Sequence, residues 1–433
     1  MTPQSNFMVL APIVADRVSE LRQLLASMNR GPGTVDPQNT LIPFAQFTTL
    51  HFARLLVLED MTRNDITAYG LPPRNYPTYL AFLGDFDGPF EVFLAELVQK
   101  ADDGLQHIFS HCEGFPPNVD LLGWLKAHNV SPATFYANWI GRTVQQVGEE
   151  AALHNALVSY VQQNAAALNG MPPAQAHTTL RLYATSEQQA GRLTLTPAAP
   201  TPLLWQVGNF IHLLGVPLLL LLLAPFLLIY LPFFLIQLRL HEKSDPEIAP
   251  RIDPTHTHQL SILEDHDVTN QFSAMGAVKP GLFRRWTLIF ILWVIDYTTK
   301  HIYNRGRLAR VSTIHFARWV FLDGKKRLLF ASNYDGSLES YMDDFINKVG
   351  FGLNVVFGNG IGYPRTNWLI LDGAKDEQKF KYVLRRHELA TEVWYNAHPG
   401  LTALDRQRNT LIREGLEKSS LSNTEAQQWL QLI

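Results

Sequence analysis

Thr49-Leu50-His51-Phe52-Ala53-Arg54 recurs as Thr313-Ile314-His315-Phe316-Ala317-Arg318, with five of the six positions identical. A shift of 248 positions then aligns Leu80–Pro116 with Leu328–Pro364 without a gap, and 11 of those 37 positions are the same residue. Identity at that level marks an internal duplication. The two offsets differ by 16 because the first copy carries an extra stretch, about Asp60 to Pro77, rich in Pro and Asn. Weaker echoes extend the repeat both ways. Phe7-Met8-Val9-Leu10 parallels Phe272-Ser273-Ala274-Met275, and Phe135-Tyr136-Ala137-Asn138 parallels Val393-Trp394-Tyr395-Asn396.

Each copy reads as the same series of elements. A short apolar strand (7–13; 272–278) precedes a helix (15–28; 282–304), and a strand carrying the His-Phe-Ala-Arg block follows, rich in β-branched and aromatic residues. The next strand (79–86; 327–334) ends at Asp-Gly and leads into a helix (90–101; 338–349). Gly-Leu is expected to open a last strand (105–111; 353–358), and helices over 120–163 and 375–418 close the copies. The order β-α-β-β-α-β is that of a ferredoxin-like unit. One such sheet has an open face, and two copies in one chain can bury those faces against each other.

In its element order and duplication the chain resembles the dimeric α+β barrel superfamily in its fused two-repeat form. That group includes chlorite dismutases, Dyp-type peroxidases and small antibiotic-biosynthesis monooxygenases. The resemblance covers roughly residues 5–116 and 270–364. It implies an α+β fold of two tandem βαββαβ repeats forming a barrel-like pseudo-dimer. It also implies an oxidoreductase, peroxidase-like activity with haem as cofactor, acting on or binding a small lipophilic molecule. A non-catalytic membrane-associated binding or assembly module is the alternative.

Between the copies lies a stretch of different character. Arg192 and Arg239 enclose no Asp, Glu, Lys or Arg, and 203–238 is almost unbroken Leu, Phe, Val, Ile and Pro. A bilayer needs about 20 apolar residues in a helix. Trp205 before the run, and Arg239, His241 and Lys243 after it, suit anchoring at the interface. The chain therefore divides into repeat 1 with trailing helices (1–164), a linker (165–202), the membrane segment (203–238), a polar linker (239–268) and repeat 2 with trailing helices (269–433). If the segment crossed the bilayer once, the copies would lie on opposite sides and could not pair. A re-entrant hairpin kinked at Pro217, Pro225 and Pro232 keeps both on the cytoplasmic side, and a single span is the alternative. The helix expected from Leu282 is also far more apolar than its counterpart from Ala15.

Composition agrees with this division. Only 17% of the 433 residues are charged and 46% are apolar, with a net charge of -3, so no broad basic face invites nucleic acid. Cys112 is the single cysteine, which excludes a disulfide framework and a Cys-built zinc site. The polar N-terminus lacks the basic and apolar regions of a secretory signal.

Candidate chemistry is sparse. Gly84-Asp85-Phe86-Asp87-Gly88 matches the GxxDG string of Dyp-type peroxidases, and the resemblance makes Asp87 the acid on the distal side of haem. The second copy keeps Asp335-Gly336 but has Ser332 in place of the first Gly. At a strand-to-helix junction the same Asp-Gly can simply cap the helix and permit the turn. His51 and Arg54, like His315 and Arg318, point to opposite faces of their strands. Each buried arginine then needs a carboxylate, and the four side chains together suggest a polar site able to hold an anionic or oxygenated ligand. His154, His387 and His398 are the histidines whose position suits an axial haem ligand. His256 and His258, followed by Asp265-His266-Asp267, would share a face if extended and could hold a metal; a solvated linker is the other reading. No Walker A, GxSxG or HExxH string occurs.

Overall fold

Strand runs with alternating apolar residues and helix runs with three-to-four spacing both occur throughout, and the protein is accordingly a mixed helix and sheet structure. A computed structural model describes every residue of the chain except Asn118. In chain order the main elements begin with β1 (Gln4–Pro12), α1 (Val18–Ala26), β2 (Leu50–Leu58), β3 (Tyr79–Asp87) and α2 (Phe90–Phe109). β4 (Thr134–Ala137), α3 (Val144–Gln163) and the long α4 (Leu203–Ser244) follow. Next come β5 (Thr269–Ala277), α5 (Leu282–His301), β6 (Ile314–Leu322), β7 (Arg327–Asp335) and α6 (Leu338–Phe357). β8 (Thr391–Asn396) and α7 (Ala403–Glu417) complete the set.

Two four-stranded antiparallel sheets result, ordered β1-β3-β2-β8 and β5-β7-β6-β4. The fourth strand of each sheet comes from the other half of the chain. β8 sets Trp394 opposite Arg54 of β2, and β4 sets Phe135 opposite Arg318 of β6. Met8, Leu56, Leu58, Ala81 and Leu83 of the first sheet form one cluster with Met275, Val320, Leu322 and Leu329 of the second. The sheets therefore face each other, and every residue of β2 is buried because its two sides meet helices and the other sheet. Separate cores form where α2 covers the first sheet and where α5 and α6 cover the second.

The expected strands at 105–111 and 353–358 are corrected. These residues continue α2 and α6, each past one non-helical residue, Ala101 and Val349, at equivalent positions. Buried Leu97, Ala101, Leu105, Ile108 and Phe109 recur with helical rather than alternating spacing. The trailing helices are corrected too. Residues 120–163 hold Leu121–Ala127, β4 and α3, while 375–418 hold Glu377–His387, β8 and α7. Strands hidden in segments read as helix are the exchanged edges.

The inserted segment does not turn back. α4 is one helix of 42 residues, with Pro217, Pro225 and Pro232 inside it. At 1.5 Å per residue it reaches roughly 60 Å, about twice the hydrocarbon thickness of a bilayer. Trp205, Asn209, His212, Val216, Leu220 and Ala224, three or four residues apart, are the less exposed positions of its first half. Most of 234–242 is less exposed at its end, and 225–233 between them is exposed throughout. The helix touches the antiparallel α5 at two places, around His212 and from Phe234 to His241. His212 Nδ1 is 2.8 Å from His301 Nε2, the Tyr297 hydroxyl donates to the Leu213 carbonyl at 3.2 Å, and Phe283 meets Phe234 and His241. Both ends of α4 are fastened to the globular part. The Met1 ammonium donates to Thr201 Oγ1 at 2.9 Å, and half-buried Asp245 pairs with Lys279 at 2.9 Å and Arg284 at 2.6 Å.

Candidate functional site

The Asp-Gly junctions act the same way in both halves. Gly88 and Gly336 follow their aspartates with φ of 91° and 88°, a region that favours glycine, and so release the chain from the strand. Asp87 Oδ1 is 2.9 Å from His51 Nε2, and Asp87 Oδ2 accepts the Val144 amide at 2.8 Å. In the other half Asp335 Oδ1 is 2.6 Å from His315 Nε2, and Asp335 Oδ2 accepts the Ala403 amide at 2.7 Å. Val144 and Ala403 are the first residues of α3 and α7, which follow the exchanged strands. Each buried carboxylate thus favours the positive end of a helix and ties an exchanged strand back to the sheet it left.

The dyads meet at one end of the sandwich. The His51 ring lies 5.3 Å from Phe316, and Phe52 lies 5.4 Å from His315. Between them a cavity of about 20 Å³ is lined by His51, His315, Asn138, Trp139, Arg142, Val147, Phe316 and Arg406. Burial lowers the pKa of His315 against the pull of Asp335, and Nε2 faces a carboxylate oxygen that can only accept. Burial raises the Asp335 carboxyl, but His315, the Ala403 amide and Thr269 outweigh it and leave the pKa below the usual range. Nδ1 of His51 is buried without a partner.

Arg142 and Arg406 set the electrostatics. Both are buried, and neither has a carboxylate within ion-pair distance among the described residues. Arg142 donates only to Asn138 Oδ1 at 3.3 Å and Thr410 Oγ1 at 3.4 Å, and Arg406 to Asn396 Oδ1 at 3.5 Å. Burial lowers them to about 9 and about 10, respectively. A guanidinium carries five donors, so most of these face the cavity or the rings of Trp139 and Phe52. A small anion or water would satisfy them.

Arg54 and Arg318 are elsewhere, between the sheets, and each reaches into the opposite one. Arg54 donates to the Phe272 carbonyl at 3.0 Å, Ser273 Oγ at 2.9 Å and the Ser332 carbonyl at 2.9 Å, and it also bonds Asn333. Arg318 donates to the Phe7 carbonyl at 2.7 Å and the Gly84 carbonyl at 3.0 Å, and it pairs with Asp85. These are cross-sheet clamps, and they do not line the cavity.

The other histidines separate. His398 is near the dyads, its Nε2 2.8 Å from the Val144 carbonyl, and burial followed by Arg406 pushes it down to about 4. His154 is half-buried on α3 beside Arg408 and Asp405. His387 lies beyond β5, 3.1 Å from Asp65. Asp65 also pairs with Arg386 at 2.8 Å, so the 60–77 stretch, which contains the helix Arg63–Ala68, is pinned onto the second repeat. His256 and His258 fall in the helix Pro254–Leu263, where residues two apart diverge, and no cluster of metal-binding side chains occurs among the described residues.

Haem was the cofactor implied by the resemblance, and the residues present do not fit it. Both Asp87 oxygens are engaged, and the cavity beside the dyads has room for a water or a small ion. Arg142 and Arg406 escaped the sequence reading because neither has a counterpart at the equivalent position of the other repeat. The only signal was the Phe-Tyr-Ala-Asn echo immediately before Trp139. No protein-family model, curated protein or solved structure matches this chain.

Proposed function

We propose that the chain is a monotopic membrane protein and binding module, made of two ferredoxin-like units fused as an α+β barrel pseudo-dimer. The shared element order, the facing sheets and the exchanged fourth strands support the fold reading. The function reading rests on α4. Its contacts lie towards its two ends, up to Ala224 and from Phe234 on, while 225–233 is exposed all round and Leu204, Phe210 and Leu222 are bare. Leu222 and Ile229 are 73% and 79% exposed. A bare apolar surface of this extent marks a membrane or partner surface. A helix this long, fastened near both ends to one globule, lies along one leaflet and not across two. Lipid is the partner, and both repeats lie on one side. The basic segment 300–310 supports reading that side as the cytoplasmic one. The cavity between Arg142 and Arg406 holds a small anionic or oxygenated group.

The single native thiol makes this testable. Cys112 is buried and pushed up to about 12 by desolvation, so it reacts slowly with maleimides. In Leu222→Cys the new thiol is expected to be shielded from a membrane-impermeant maleimide in vesicles and open to it after mild detergent. Protease added outside the vesicles should reach tags on both termini or neither. Full labelling in vesicles, or tags of opposite sidedness, would overturn the reading.

A further inference from the structure

Around Gly104, repeat 1 is covered by its own chain. A Cβ on Gly104 would lie 1.9 Å from the Leu41 carbonyl oxygen, and Lys100 Nζ donates to the Gln46 carbonyl at 2.7 Å. The covering segment, 27–49, joins α1 to β2. Its counterpart in repeat 2, 302–313, is shorter and does not reach. Gly352, equivalent to Gly104, meets nothing, and neighbouring Phe351 is 61% exposed. What remains is an open groove of about 620 Å³ between the 303–310 loop, α6 and the hairpin Thr366–Asn367/Leu371–Asp372.

The groove has an apolar floor and a cationic border. Phe351, Ile370 and Leu371 are exposed within it, and Arg310, Lys348 and Lys375 line it. From Tyr297 to Leu322 there is no carboxylate, while Lys300, Arg305, Arg307 and Arg310 follow one another after the apolar α5. Among the described residues Arg307, Arg310 and Lys375 have no ion-pair partner, and Asp372 is the one acid in the lining.

The hairpin is held with some strain. Trp368 and Leu369 have φ of 58° and 61°, both in the left-handed region without glycine. Buried Glu242, near the end of α4, accepts the Trp368 amide at 3.0 Å, the Leu369 amide at 2.7 Å and Thr366 Oγ1 at 2.9 Å. Arg239 of α4 stacks 5.0 Å from the Trp368 ring, which stays 44% exposed. One wall of the groove is thus fastened to α4 and another continues from α5, so the groove adjoins the lipid-facing helices.

We infer that this groove binds the headgroup of an anionic phospholipid, with its phosphate at Arg310 and Lys375 and its first methylenes over Phe351, Ile370 and Leu371. The inference rests on the membrane-surface reading above. Zwitterionic phosphatidylcholine also carries a phosphate, but its choline cation would meet the same cationic border, so the groove favours a headgroup with net negative charge. Each cation near an anionic surface contributes about fivefold in affinity.

The test uses full-length protein added from dilute detergent to phosphatidylcholine vesicles with or without phosphatidylglycerol. Wild type should bind the anionic vesicles at least about tenfold more tightly. The variant Arg307→Ala/Arg310→Ala/Lys375→Ala should lose that preference while keeping wild-type binding to neutral vesicles, which also shows that it is folded. Trp368→Ala should weaken both. If the triple variant keeps the preference, or if millimolar inorganic phosphate abolishes it in wild type, the groove assignment is overturned and the membrane reading stands. If wild type binds neither vesicle, the membrane reading itself fails.

Discussion

Repeat 1 and repeat 2 agree inside and differ outside. Their His-Asp dyads, Asp-Gly turns, crossing arginines and kinked helices coincide position by position. On the helix side they part. α1 is short and amphipathic where α5 is long and apolar, and the segment that closes over Gly104 is missing over Gly352. One interior difference follows from the near two-fold arrangement itself. Asp85 and Asn333 are equivalent and touch, with Asn333 Nδ2 donating to Asp85 Oδ2 at 3.2 Å. Two aspartates there would repel, and two asparagines would leave both buried arginines without a counter-charge. The chain departs from symmetry at this point by a single amide, as it does beside the dyads through Arg142 and Arg406.

Making the repeats alike at that point should have the largest effect. Asp85→Asn strips Arg318 of its carboxylate and is expected to cost about 3–5 kcal/mol, the usual result of leaving one member of a buried pair. Urea unfolding in mild detergent measures it, and a loss below 1 kcal/mol would mean the clamp is already neutral.

The glycine pair gives the next contrast. Gly104→Ala drives a methyl into the Leu41 carbonyl and should cost about 1–3 kcal/mol. Gly352→Ala meets open space in a helix and should be neutral or stabilising by up to about 1 kcal/mol. Equal effects would contradict the bare groove.

The smallest effect concerns pH. The pKa of buried His315 is lowered, so below about 6.5 the unfolded chain takes a proton that the folded chain refuses. Stability therefore falls as pH falls through that range, by at most about 1.4 kcal/mol per unit. His315→Gln should flatten this segment between pH 7.5 and 5.5 by about 1 kcal/mol, with His398 and His154, also lowered by burial, among the groups that supply the remaining slope. An unchanged slope would assign the proton uptake elsewhere.

Much of the fold was legible because duplication writes it twice. The repeated His-Phe-Ala-Arg and Asp-Gly blocks located β2, β3, β6 and β7, and the uncharged run located α4. The edges were not legible. β4 has four residues and β8 six, and each sits between helices and takes its identity from a partner strand in the other half. Leu105–Phe109 and Leu353–Phe357 resemble strands in composition, and only helical spacing tells otherwise. Of the site, the dyads were visible as paired motifs. Arg142 and Arg406 were not, because a lone arginine on a polar-looking loop or helix shows its burial only after the sheets have closed.

The exchange of edge strands also fixes an order of events during synthesis. The first sheet lacks its fourth strand until residues 391–396 have been made, and the second lacks three of its four until well after α4. The greasiest segment of the chain thus emerges before either sheet can be completed. A bilayer within reach would shield it at that stage, when no finished core exists to do so. Membrane contact would then come before folding is finished, and the globular part would close while already at the surface.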